Sequence, residues 1–451
     1  MPNVTWTRET AAHLLRRAGF GATAAELDEY EALGLNGAVA KLVDYESTSN
    51  AELDALLAQI NFDFTRFGSI QLWWILRMIY TARPLEEKMV FFWHDHFATS
   101  AAKVDNEDMK VQNDLFRTYA LGNFKDMLVA VSKDPAMLDW LDNRLNRVGQ
   151  PNENYAREIM ELFTLGVGNY TETDIHEIAR CFTGWTIRQD AYFFQAGAHD
   201  NGSKSFLGVN IGPNGGELDG ITVCNTLSTS ATCARFLTKK LFEFFAYPDP
   251  NDATVQKYAD IYLSSNFSIR EVMRALFKSD EFYSDRAMHA LIKSPTEFVI
   301  GALKSLAAKV DGRKLGSDIS LQGQTLLVPP DVAGWDGGLA WINTTTLLAR
   351  ANFVNSVVND RTDEGRGYFV NLDTLLGTAN FNDKPKKLVD HFLDILGPIS
   401  LTKQQKKPLK NYLVYDDSGV KQTFKLDAET KDEKVRGLIH LIMALPEYHQ
   451  N

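Results

Sequence analysis

The stretch "FFWHDHFATS", Phe91 to Ser100, ends an apolar, aromatic run with Asp95 set between His94 and His96. Imidazole and carboxylate are costly to bury without partners, and they are also the groups that bind divalent metals and move protons near neutral pH. Residues two apart on a helix point to nearly opposite sides, so His94 and His96 can share one ligand only where the helix breaks around Asp95. The structural alternative is a histidine ring that packs beside Trp93 and bonds a carboxylate or a carbonyl.

A second polar pattern lies in "NENYAREIMELFTLG", where Asn154, Glu158 and Glu161 fall at i, i+4 and i+7 with Arg157 beside them. Two carboxylates and an arginine on one helix face can hold a metal or act as general acid and base. They can equally face water, with Arg157 and Glu161 as an i, i+4 pair worth about 0.3–0.5 kcal/mol. His176-Glu177 opens the next helical segment, and His199-Asp200 opens a Gly-rich loop ahead of Lys204. Taken together, the candidate metal ligands are His94, His96, Glu158 and His199, and the candidate catalytic residues are Glu158, Glu161, Arg157 and Asp200. The cofactor such donors fit is a divalent metal ion. There is no H-E-x-x-H, P-loop, dinucleotide Gly motif after a strand, G-x-S-x-G or C-x-x-C-H.

The elements that must position these residues read as helices. Of 451 residues, 45% are hydrophobic and 11% aromatic, which supports a folded, well-cored chain, and the net charge of -11 argues against an extended nucleic-acid footprint. Three cysteines, Cys181, Cys224 and Cys233, imply no disulfide scaffold. Thr23-x-x-Glu26 is a capping box, and Ser294, Pro295 and Glu297 mark another helix start. Ile175, Ile178, Ala179 and Phe182 form one apolar face. Tyr155, Ile159, Leu162 and Phe163 form a second, ending at Gly166. The exception is the Gly-rich segment from about Thr186 to Asn225, which reads as a loop with a small β-hairpin. The expected fold class is therefore mostly α: a large multi-helix domain with a Gly-rich loop and small β-hairpin insertion. Its parts are an N-terminal helical region (1–185), the insertion (186–225) and a C-terminal helical region packed on the first (226–451). The loop Asp331–Asn343 is expected to pack onto the helices, with Trp335 and Trp341 inaccessible. The N-terminal segment lacks the pattern of a signal peptide and no apolar run spans a membrane. As it stands the chain reads as cytoplasmic, and as periplasmic or secreted if a leader preceded it.

The blocks "HLLRRAGFG", "PLEEKMVFFWHDHFAT", "DPAMLDWLDN", "NENYAREIMELFTLGVGNYTETDIHEIARCFTGW", "HDNGSKSFLG", "VPPDVAGWDGG" and "MALPEY" resemble, in order and spacing, the bacterial family of domain of unknown function 1800. The resemblance covers essentially the whole chain. It implies a mostly helical protein, often exported in relatives and often encoded beside an uncharacterised protein resembling the alkaline phosphatase and sulfatase group. The family's blocks fall on His94, His96, Asn154, Arg157, Glu158, Glu161, Trp185, His199, Asp200 and Trp335.

Two readings of function stand. In the first, a metal-dependent enzyme, with hydrolysis the default reaction, has its pocket between the His94/His96 and Glu158/Glu161 helices, closed by the His199-Asp200 loop. His94 or His96 and at least one of Glu158 and Glu161 then converge with His199-Asp200 on one polar pocket. In the second, a non-catalytic binding or assembly protein uses the same polar residues to fix its loops, and Trp185 and Trp335 to recognise a glycan or a protein. The substrate is open, and neither nucleic acid nor a membrane span is expected.

Overall fold

The computed structural model describes residues 4–310, 312, 314–360 and 368–451. The chain is mostly helical, and several of its helices begin where capping signals lie. Thr7 caps α1 (Arg8–Ala18), and Thr23 and Glu26 cap each other's backbone at the start of α2 (Ala24–Val43). There follow α3 (Phe67–Tyr80), α4 (Pro84–His96), α5 (Asn106–Thr118), α6 (Asn154–Glu161) and α7 (Glu172–Cys181). Beyond the β insertion come α8 (Glu217–Ser228), α9 (Ala231–Phe245), α10 (Pro295–Ser305), α11 (Thr344–Asn359), α12 (Pro385–Ile395) and α13 (Arg436–Met443). A cluster of buried apolar side chains reaches from Ala11 to Tyr448. No described helix is long and apolar enough to cross a membrane. Cys181, Cys224 and Cys233 are buried and free.

The insertion holds two hairpins where the sequence suggests one. β1 (Trp185–Arg188) pairs antiparallel with β2 (Ala191–Phe194), and β3 (Lys204–Phe206) with β4 (Val209–Ile211). Each is closed by a two-residue turn with both residues at positive φ: Gln189 and Asp190 at 52° and 57°, Leu207 and Gly208 at 47° and 77°. That geometry matches the right-handed twist of the strands, but three of the four residues are not the glycines or asparagines that would announce it. Helix α8 starts at Glu217, inside the stretch expected to be irregular. A third pair, β5 (Lys309–Val310) with β6 (Tyr368–Phe369), lies outside the insertion and departs from the expectation that β structure is confined there. Its strands come from distant parts of the chain, so no local pattern marks it.

The core is organised by α4. Twelve of its 13 residues are buried, and Asp95 is the exception. Such a helix would ordinarily be apolar all round, yet it carries Glu87 and Lys88 at the end of its first turn. Glu87 Oε1 accepts hydrogen bonds from Arg77 Nε of α3 at 2.8 Å and Arg117 Nε of α5 at 2.7 Å, and Oε2 accepts from Arg117 Nη2 at 2.9 Å. Lys88 donates to Glu297 of α10, and its ammonium lies 4.9 Å from the Phe20 ring centroid and 5.4 Å from that of Phe244. Both ions are thus desolvated but fully paired, the arrangement in which loss of one partner is far more damaging than absence of both.

Burial works to raise the Glu87 carboxyl, but Arg117 and then Arg77 outweigh it and hold it below the ordinary glutamate value of 4.5. A carboxylate lowered in the folded state stabilises the fold above 4.5, and that stability is lost as pH falls through its folded value. Glu87→Gln is therefore expected to destabilise the chain by about 3–5 kcal/mol near neutral pH, and the deficit should shrink on acidification. Denaturant unfolding midpoints of both proteins at a series of pH values check this; equal midpoints at neutral pH would show that the buried ions do not hold the core.

Candidate functional site

At the end of α4 the three polar residues of the His-Asp-His motif point three ways. His96 Nε2 donates to the carbonyl of Phe163, just past α6, at 3.1 Å, and the ring stacks on Phe92 with centroids 5.8 Å apart. That bond places the proton on Nε2 and leaves Nδ1 buried without a protein partner. His94 lies among indoles, 5.2 Å from Trp74 and 5.5 Å from Trp335 between centroids, with its Nε2 also buried and unpartnered. Burial holds His94 down at about 3 and His96 well below its ordinary value, so both rings are neutral at physiological pH.

Asp95 differs from both. It is half-buried, and its Oδ1 accepts the backbone N–H of Trp335 at 2.8 Å. Gly334 makes that approach possible: it has φ of +90°, and a Cβ built on it would stand 2.4 Å from Asp95 Oδ1 and 2.7 Å from Asp95 O. Burial draws the carboxyl up to about 6, moderated by the Trp335 N–H and by the charge of Lys240. Lys240, on α9, is half-buried over the Phe236 ring at 5.5 Å, and among the described residues it has no hydrogen-bond or ion-pair partner. Burial lowers its ammonium from the ordinary lysine value.

The α6 stripe forms a second group. Arg157 reaches Glu172 at the start of α7, at 2.9 and 3.1 Å, instead of Glu161, so the expected i, i+4 pair is not made. Glu161 accepts from the Tyr170 hydroxyl. Glu158 is half-buried, its carboxyl is raised by burial and then by the charge of Glu161, and its side chain makes no hydrogen bond among the described residues. The helix stops at Glu161, so Leu162 falls just beyond it and is half-buried, while Phe163 is buried as the apolar pattern requires.

The Gly-rich loop carries a third group. His199 Nδ1 lies 2.8 Å from Thr183 O and Nε2 lies 3.2 Å from Asp219 Oδ2 on α8. Lys204 donates to the same Asp219 oxygen at 2.7 Å and to the carbonyls of Asp200 and Gly202. Asp200 is clamped by Arg180 of α7 at 2.8 and 3.2 Å, a bond that brings its carboxyl down to about 2. Arg180 also grips Glu177 at 2.8 and 2.9 Å, and Glu177 accepts the Ser205 N–H at 3.0 Å. Every charged group in this network has a partner.

Residues 13–450 match the family model described as protein of unknown function (DUF1800). The chain belongs to this family. No curated protein and no solved structure matches it.

In this DUF1800 chain the polar residues of the motif blocks thus fall into separate groups of interactions. Asp95 and His96 are coupled electrostatically to Lys240, Glu158 to Glu161 and Arg157, and His199 is bonded to Asp219 and Thr183. Among the described residues, no three His, Cys, Asp or Glu side chains are placed to hold a metal ion. The set His94, His96, Glu158 and His199 is accordingly not gathered as a ligand shell, because each member faces a different neighbour. Trp341 is buried as expected, whereas Trp335 is only half-buried and Leu339 on the same loop is 78% exposed. Trp185 is fully buried in the core beside Phe182 and Tyr192, which removes it from any recognition surface.

Sequence reasoning passed over Lys240, Asp219, Arg180 and Thr183. Only the Glu177–Arg180 pair, at i, i+3, carries a local signal. If the third group is what holds the hairpins, Asp219→Asn leaves the buried Lys204 ammonium and His199 without their charged acceptor, at about 1–3 kcal/mol. Local opening should then rise roughly ten- to a hundredfold. Tryptic cleavage after Arg188 or Lys204 is expected to accelerate to match, with far-UV ellipticity unchanged; an unaltered cleavage rate would count against this role.

Proposed function

We propose that the end of α4 is an acid–base site of a hydrolytic enzyme, in which Asp95 takes up or gives the proton and Lys240 receives the anionic part of the substrate. The observation that carries this reading is the half-buried Asp95 carboxyl, raised to about 6, with the Trp335 N–H as its one hydrogen-bond donor among the described residues. It lies within electrostatic range of the Lys240 ammonium, which also feels Glu243 but makes no hydrogen bond or ion pair among the described residues. A carboxyl titrating near 6 is present in both protonation states close to neutral pH, which is where a general acid or base works best. The neutral rings of His94 and His96 keep the surroundings apolar. The two unpartnered imidazole nitrogens, His94 Nε2 and His96 Nδ1, belong to residues on nearly opposite sides of α4 and do not meet on one ion. The proposed chemistry therefore rests on proton transfer by the chain's own groups.

A second reading, a non-catalytic binding protein, is favoured by a different observation. His199, Asp200 and Lys204 are all engaged within the fold, while Leu339 is exposed on the loop that also carries the half-buried Trp335. Such a loop suits contact with a glycan or a protein surface.

The two readings separate in one experiment. Wild type is incubated with nitrophenyl carboxylate and phosphate esters and nitrophenyl glycosides over pH 5 to 8. Turnover is expected to follow an ionisation near 6, falling below it if Asp95 is the base and above it if Asp95 is the acid. Asp95→Asn should lower it at least about a hundredfold, and Lys240→Met should raise KM for the anionic esters. Absence of turnover, or turnover unaffected by Asp95→Asn, would overturn the catalytic reading.

A further inference from the structure

Away from α4, the start and the end of the chain meet around a cavity lined by Arg16 of α1, Phe20, Lys293, Glu297 of α10, Gly397 and Tyr448. Arg16 is only 7% exposed, and its Nε, Nη1 and Nη2 all lie buried without a hydrogen-bond partner among the described residues. Lys293 is 6% exposed; its ammonium donates to Tyr448 O at 2.7 Å and lies 4.0 Å from the Tyr448 ring centroid. The cations here outnumber the anions. Glu297 is in electrostatic range of Lys88, Arg17, Lys293 and Arg350, and it is already bonded to Lys88 and the Ser294 N–H. Arg16 is not in that set, and the anion that acts on it is the exposed Glu9. Burial and the Arg16 charge bring Lys293 down to about 7.

A guanidinium buried with none of its donors satisfied is among the most costly arrangements a fold can hold. Its planar fork is made for two parallel bonds to an oxyanion. The free volume beside it is about 30 Å³ for the centre of a water-sized sphere. A single water needs about 10–15 Å³ by that measure, so a tetrahedral inorganic anion fits and a nucleotide does not. We propose that this cavity binds a small oxyanion of phosphate or sulfate size, held by the Arg16 fork with Lys293 supplying further charge. The site is independent of the chemistry at Asp95. It ties α1 to the segments that end the chain, so occupancy is expected to stabilise the fold.

The test is thermal unfolding of the full chain in millimolar phosphate or sulfate, against chloride at equal ionic strength. In wild type the midpoint should rise and saturate, as linkage to a single site requires. In Arg16→Gln the rise should vanish, while stability in chloride alone is unchanged or higher, because a buried uncompensated charge has been removed. A wild-type response that is linear in salt and equal for both anions and both proteins would be a general solvent effect and would overturn the proposal. Should Arg16→Gln not fold, broadening of the phosphate ³¹P resonance by wild type is compared with Lys293→Met. Broadening by wild type that weakens at least about tenfold in the variant supports the site, and absence of broadening by wild type refutes it.

Discussion

Glu87 and Lys88 sit side by side near the start of a helix that has almost no exposed surface, and much of the packing around that helix follows from satisfying them. Each ion loses several kcal/mol of hydration on burial, so each must be met by a partner delivered from a different element. Arg77 arrives on α3, Arg117 on α5 and Glu297 on α10. A rotation of α4 by one residue would aim both charges at the wrong neighbours. The ion pairs therefore act as a register lock, a role for which apolar packing alone is too permissive.

That register decides what the last turn of α4 presents. With the helix fixed, His94 is directed at Trp74 and Trp335, His96 at the Phe163 carbonyl, and Asp95 at the gap beside the loop around Gly334. The same burial that keeps both imidazoles neutral makes the carboxyl reluctant to ionise. One physical cause, loss of solvent, thus produces two inert histidines and one titrating aspartate. The two imidazoles of the motif are spent on packing and on one carbonyl, while the residue between them faces the loop.

Helix starts were legible because capping is a local affair: Thr23 with Glu26 and Ser294 with Glu297 lie three residues apart. Pro84 at the first position of α4 is a local signal of the same kind. What escaped depends on long range. Lys88 and Glu297 are 209 residues apart, and nothing near either names the other. The hairpin turns use Gln189, Asp190 and Leu207 in left-handed conformations that their residue types do not advertise. Among the site residues, the α6 stripe was legible as polar, but Arg157 turned to Glu172 across a loop because α7 starts within its reach. Asp95 was visible yet overshadowed by its histidines. Lys240 had no signal at all, since one of two adjacent lysines, Lys239 and Lys240, on an amphipathic helix ordinarily points to water.

The three buried thiols have a consequence of their own. Burial raises all of them, Cys224 to about 12 and Cys181 and Cys233 further, so almost none is thiolate at neutral pH. Disulfide exchange requires the thiolate and access to it, and these side chains offer neither. The folded chain therefore holds its thiols out of exchange, and what packs it is apolar contact and ion pairs with no disulfide among them.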